Sequence, residues 1–468
     1  MEEPFRISTA PENPAHTVPI EEPVVDDNNG KQKHNAPHLS LWELFVLFLG
    51  FGINAWGGAV AQIALIQDAL VKERKWITPE TFKRVYAVYQ ILPGPEAAEL
   101  CCYFGYLSRG RVGALVAGIA FILPGFLAML LFSYIYVVFG LSNKYFLASF
   151  KALQPIVAAM VLRAVHKIGE ETMVNHETGI LDRKILAFAV LAGLNTAVNI
   201  NFFISLAVFG LATAAFGSTS KYGKVTGYGI LLLAYAAGIT YIAIKGLPSI
   251  SALGLGVART PDIGHLSALG LVAGAFSFGG AYTSIPFVVQ EAVVIGGWIS
   301  QKVFLDGVAL ANVLPAPTVI FSTFVGFWGG YVGYGSNVGY GFAGAIVTTI
   351  GMFVPCFSFT IIGHNFFDSL VHRKSISSFL DGVSGSVVGI IAVTAVQLFH
   401  SSIVSAVSPL PGAKIDIQTA SVNAVSSLML YFLTLAVLYS FKDKTTNAVV
   451  VVVGAIAGQF LYLDNGGF

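Results

Sequence analysis

From Leu41 to Leu463 the chain runs in apolar stretches of about 20 residues, each long enough to cross the hydrocarbon core of a bilayer, separated by short polar breaks. The pattern predicts spans at 41–66, 85–107, 113–139, 146–166, 185–199, 200–216, 225–246, 265–290, 303–330, 341–363, 376–400, 422–441 and 446–463, thirteen in all. Two pairs, 185–199 with 200–216 and 422–441 with 446–463, have almost no loop between them and read as tight hairpins. The expected fold is an all-α polytopic membrane protein.

Composition agrees. Of 468 residues, 55% are hydrophobic and only 11% charged, against roughly 25% in a soluble domain. A net charge of +1 excludes a basic nucleic-acid binder. Fifty glycines and nineteen prolines lie largely within the apolar runs, which points to close helix packing and interrupted helices. Cys101, Cys102 and Cys356 lack metal or disulfide spacing, so no metal or cofactor is expected. Residues 1–38 carry seven acids, three bases and six prolines with no apolar core, which predicts a disordered tail. Ser40 and Glu43 form a capping-box pattern at the entry to the first span.

Lys and Arg collect on cytoplasmic segments. Thirteen spans put 16 of them on the face of the tail and 10 on the other, which predicts a cytoplasmic N-terminus and a multi-pass protein of the plasma membrane. Five of the ten, Lys72, Arg74, Lys75, Lys83 and Arg84, share one amphipathic stretch that also reads as a re-entrant or interfacial element.

The chain repeats itself. Gly57 and Gly58 recur as Gly279 and Gly280, Trp76 as Trp298, Phe82 as Phe304, Leu92 as Leu314, and Pro93/Pro95 as Pro315/Pro317, every shift being 222 residues. Pro124 matches Pro355 at a shift of 231. The run from Tyr228 to Ile244 has no partner. Six spans plus one connecting span start the second copy from the opposite side, so the expected architecture is an inverted repeat: an N-terminal half at 39–217, a connecting span at 225–246 and a C-terminal half at 264–463.

In each copy a glycine pair breaks one span near a polar residue (Gln62, then Gln290), and a Pro-x-Pro breaks the next: Pro93-Gly94-Pro95 and Pro315-Ala316-Pro317. The half-helices that follow aim N–H groups and positive dipole ends at the break, which suits an anion without arginine. Such motifs also kink helices for packing alone, but two copies at equal spacing favour the ligand. Glu96 and Glu99 follow the first proline motif where the second has Thr318 and Phe321. These acids either stabilise a helix start or carry a proton coupled to transport. Arg74, Arg84, Lys151, Asp306 and Asp381 are candidate charge partners, and Lys151 and Asp381 match in the repeat with opposite sign, which suggests an ion pair between halves.

The stretch from Phe51 through Gly57-Gly58, Gln62, Glu73-Arg74-Lys75-Trp76, Phe82 and Leu92-Pro93-Gly94-Pro95-Glu96 to Leu100 resembles the N-half signature of the chromate ion transporter family in its long two-domain form. Phe278-Gly279-Gly280-Ala281-Tyr282, Ile285-Pro286, Gln290-Glu291, Trp298, Phe304-Leu305-Asp306-Gly307 and Thr323-Phe324-Val325-Gly326 resemble its C-half signature. The resemblance covers about residues 40–463 and implies a transporter that moves chromate, or exchanges it with sulfate, through oppositely oriented halves. Two positions depart from the family pattern: Ala59 stands where proline follows the first glycine pair, and Ala316 where the second motif has glycine. Alanine at 316 is expected to narrow the approach of backbone to an oxyanion.

A secondary transporter for chromate or sulfate is therefore the first expectation, and a transporter or channel of the same fold for another inorganic anion the alternative. The expected partners are the oxyanion and the bilayer, with a second copy of the chain as a candidate homodimer partner. His166, His364, His372 and His400 are isolated and no phosphate-binding loop occurs, so an enzyme is not expected.

Overall fold

The computed structural model describes residues 35–56, 58–139, 143–174, 180–218, 220–248, 254–277, 281–371, 374–407, 417–441 and 446–463. Among them the chain is helical, apart from one isolated bridge between Val174 and Leu181.

The first copy comprises α1 (Leu41–Ile53), α2 (Ala59–Ile66) running into a π-helical turn (Gln67–Glu73), α3 (Pro79–Ile91), α4 (Glu96–Val138), α5 (Lys144–Met173), α6 (Arg183–Ala197) and α7 (Phe202–Gly217). After α8 (Gly223–Lys245) the order recurs. It runs α9 (Ile263–Ala275), α10 (Ser284–Val288) into a second π-helical turn (Val289–Ile295), α11 (Gln301–Val313), a 3-10 turn (Thr318–Ile320) leading into α12 (Phe321–Gly333), α13 (Val338–Val371), α14 (Lys374–Val407), α15 (Ile417–Ser440) and α16 (Thr446–Tyr462). What is α12 plus α13 in the second copy is one bent helix, α4, in the first. Arg109 and Gly110 leave helical geometry there, Gly110 at a φ of 61°. Among the described residues α4, α5, α8, α13, α14 and α15 are long and apolar enough to cross a membrane.

Four of the predicted spans are not single helices. Segment 41–66 is broken between α1 and α2, 85–107 between α3 and α4, 265–290 between α9 and α10, and 303–330 between α11 and α12. α1, with 13 residues, reaches about 20 Å at 1.5 Å per residue, short of a hydrocarbon core. After each break the chain returns to the face it left. Asn35 N–H donates to Trp76 O (2.8 Å), Leu39 N–H to Ser108 Oγ (3.2 Å) and Arg109 Nε to Leu39 O (2.6 Å), which brings the start of α1, the turn before α3 and the bend of α4 together. The second copy repeats this: Trp298 Nε1 donates to Ala258 O (2.8 Å), and Ile263 N–H to Tyr334 Oη (3.4 Å). Apolar length alone cannot distinguish two half-helices meeting at a break from one continuous span. The basic stretch around Arg74 therefore lies beside the start of α1 and the bend of α4.

Counterpart helices cross antiparallel. Along α4 and α13, Gly118 faces Phe357 while Tyr134 stacks on Phe342 (centroids 6.1 Å). Along α5 and α14, Lys151 Nζ reaches Ala406 O (3.5 Å) while Gly169 faces Val388. The hairpins are exchanged between copies: α6 and α7 pack on α14, and α15 and α16 pack on α5. Glycine makes these approaches close, with Gly389 on the backbone of Ala189 and Gly458 on that of Ala148, as expected where helices associate by packing in lipid.

Candidate functional site

The breaks follow from local chemistry. Leu92 and Leu314 each precede a proline, which disfavours the α region, and both are extended (ψ 151° and 148°), ending α3 and α11. The next helices then start in the interior. Their N-cap residues are Pro95 and Pro317, and neither these nor Gly58, the N-cap of α2, offers a side-chain cap. The surface starts of α1, α3, α9 and α11 are capped by Ser40, Thr78, Asp262 and Ser300. The Asp262 carboxyl is held below the usual carboxylate range, first by the His265 N–H and then by the Thr260 hydroxyl.

The interior ends converge. Gly94 N–H donates to Ser277 O (2.7 Å), joining the proline break of the first copy to the end of α9 in the second. Gly94, at a φ of 153°, lies against Cys356, the residue after Pro355 of α13. Ala316 lies against Gly125, the residue after Pro124 of α4. The two proline motifs thus lie against the α4/α13 pair at different levels, offset by about 10 Å along α4 by the helical rise between Gly118 and Gly125. The expected narrowing at Ala316 is absorbed, because its methyl group fills the space left by Gly125. Gly94 does not face open space either: a Cβ there would meet Cys356 and, at 2.8 Å, Glu99 Oε1.

Pro93, Gly94, Pro95, Glu96 and Glu99 are all buried. Glu96 accepts from Tyr86 Oη (3.3 Å). Glu99 is fully buried and neither carboxyl oxygen has a hydrogen-bond partner. Gln62 donates to Ala55 O (2.9 Å), and its Oε1 is buried without a partner. Gly57, Gly279 and Gly280 lie outside the described residues, as do 1–34 of the tail.

The candidate charge partners do not gather there. Arg74 is exposed at the end of the first π-helical turn, and Arg84 lies on α3. Lys151 meets α14 at Ala406, which lies about 38 Å along the helix from Asp381, so antiparallel packing separates the pair that the repeat matched. Asp381 is exposed. Asp306 is fully buried and accepts from Tyr136 Oη (2.7 Å) and Gln154 Nε2 (2.9 Å), so it ties α11 of the second copy to α4 and α5 of the first. Glu291 Oε1 accepts from Leu255 N–H and from Gly256 N–H (3.1 Å), anchoring the segment before α9.

Sequence reasoning missed Ser277, Tyr89, Tyr136, Gln154, Gly125 and the role of Cys356. Gly125 and Cys356 were within reach, since each follows a repeat-matched proline.

Long apolar helices, paired breaks and a convergent interior of helix ends define a polytopic helical membrane protein. The chromate transporter family model matches residues 42–256 and again 265–459, and the chain belongs to that family. It is 35% identical to a chromate transport protein of Pseudomonas aeruginosa over 430 residues, covering 92% of this chain and 94% of the relative. It is 28% identical to a chromate transport protein of Cupriavidus metallidurans, covering 92% and 95%. A probable chromate transport protein of Synechococcus elongatus is 26% identical over 92% and 98%. No solved structure matches the chain.

Proposed function

We propose that the protein is a secondary transporter of chromate, or of sulfate in exchange, which binds its oxyanion where the broken helices of the two halves converge. The observation that carries this reading is the contrast in capping. Four surface helix starts are closed by Ser40, Thr78, Asp262 and Ser300, with the exposed start of α8 after Tyr222 left open, while the interior starts after Gly58, Pro95 and Pro317 carry no side-chain cap. An uncapped helix start presents N–H groups and a positive dipole end, the arrangement that receives oxyanions. The names of the bacterial relatives support chromate as the substrate.

The same reading gives the transport path. The halves 39–217 and 264–463, linked by 225–246, are an inverted repeat with nine crossings and four returning hairpins, the crossings being the second part of α4, then α5 to α8 and α13 to α16. The antiparallel pairs α4/α13 and α5/α14 support it. Placing the returning hairpin at Arg74 on the face of the tail moves five basic residues to that side and Lys302 to the other, which supports a cytoplasmic N-terminus. Labelled chromate and sulfate flux into proteoliposomes tests the function. Saturable uptake of chromate that unlabelled sulfate in the lumen accelerates is expected. Absence of flux for both anions would overturn it.

A further inference from the structure

Beneath the first proline motif both carboxyl oxygens of Glu99 are buried without a hydrogen-bond partner, and the hydroxyl of Tyr89, which faces Thr360 of α13, stands close by. Glu99 is 0% and Tyr89 2% exposed. Buried polar atoms are almost always paired, so a carboxyl group with both oxygens unpartnered calls for a physical account. Glu99 Oε1 sits 2.8 Å from where a Gly94 Cβ would be, Cys356 and Thr360 of α13 line the site, Tyr89 comes from α3 and Cys102 from the next turn of α4. The ionisable groups that face Glu99 are therefore Glu96 and Cys102 on its own helix, Tyr89 on α3 and Cys356 on α13. No cation is among them.

The second copy has nothing comparable. The counterparts of Tyr89, Glu99 and Cys102 at the 222-residue shift are Ala311, Phe321 and Phe324, and the counterpart of Cys356 is Gly125. At the matching place Phe304 stands edge-on to Phe321 (5.7 Å), and the unpartnered polar atom beside them is the neutral Ser322 Oγ. The buried acid is thus not a by-product of duplication.

We infer that Glu99 is a proton site that is filled together with the oxyanion, so that each dianion crosses with one proton. This rests on the proposal that the anion binds at the ends beside Gly94. A carboxylate in a cation-free apolar wall is among the costliest groups a membrane protein can hold. It would also repel a dianion arriving at the helix ends one turn away. With a proton, Glu99 is neutral and the repulsion disappears. Proton and anion therefore favour each other reciprocally. Net transport of a dianion then carries one negative charge instead of two.

Proton uptake on adding chromate to the purified protein at pH 8 in weak buffer is the test, read with a pH dye and compared with Glu99→Gln, so that protonation of chromate itself cancels. One proton per bound anion in the parent and none in Glu99→Gln are expected. Chromate binding without a difference in proton uptake between parent and Glu99→Gln would overturn the proton site while leaving the anion site standing. Failure of the parent to bind chromate at all would instead sink the anion site on which the inference rests. If Glu99→Gln does not fold, the parent alone decides: binding with no uptake beyond that of free chromate overturns the inference.

Discussion

The Cβ of Ala316 occupies the space that a side chain at Gly125 would need, while Gly94 leaves that space to Cys356. The two proline motifs are thus fitted to the opposite half in complementary ways, with the larger residue on the motif in one case and on the crossing helix in the other.

Gly125→Ala puts two methyl groups in one place and brings the new Cβ to 3.2 Å from Pro315 O. Overpacking of this kind costs about 1–3 kcal/mol. The double variant Gly125→Ala with Ala316→Gly restores the volume and is expected to recover most of the lost stability. Thermal unfolding in detergent measures the coupling, and additive losses would show that the two residues do not share the space.

Asp306 ties α11 to α4 and α5 through Tyr136 and Gln154. Hydrogen bonds to a charged acceptor contribute about 1.5–3 kcal/mol. Tyr136→Phe is expected to lower stability within that range, and Asp306→Ala to lower it further by leaving the Tyr136 hydroxyl and the Gln154 amide unpaired. A Tyr136→Phe protein with an unchanged unfolding midpoint would remove Asp306 from the contacts that hold the halves together.

Cysteine substitutions at Arg74 and Arg111, in a background without the native cysteines, should react with an impermeant reagent from the same side, and one at Gly335 from the opposite side. Thirteen straight spans would instead separate Arg74 from Arg111. Labelling of Arg111 and Gly335 positions from one side would defeat the inverted repeat.

Thr78 accepts from Thr81 N–H at the surface start of α3, far from the helix ends at the breaks. Thr78→Ala is expected to cost about 1 kcal/mol of stability and to leave chromate affinity unchanged. A weakened affinity would mean that capping at the surface and binding at the interior are not separate tasks.

Much of this was legible in the residues. The 222-residue shift located both breaks, and it also pairs Ser40 with Asp262 and Thr78 with Ser300, caps that fix where four helices begin. Hydropathy could not tell a span from a returning hairpin, because α1 with α2 has the apolar length of one crossing and the chain reversal rests on three residues' hydrogen bonds to the tail-side face. Lys151 and Asp381 were misjudged as partners for a related reason: repeat-equivalent positions lie at opposite ends of an antiparallel pair, so equivalence in sequence means separation in space. Glu99 stood out as an intramembrane acid, but its lack of partners depends on α3 and α13, which no local pattern encodes.

The exchanged hairpins bear on how the chain is made. α6 and α7 leave the ribosome with their packing face prepared for α14, which is not yet synthesised, and α5 waits for α16, the last helix of all. The first half can enter the membrane but cannot close. Until translation nears its end the nascent protein exposes glycine-lined helix faces to lipid or to insertion factors, and a chain truncated before α16 should be recognised and degraded as unfinished, however well its first half inserts.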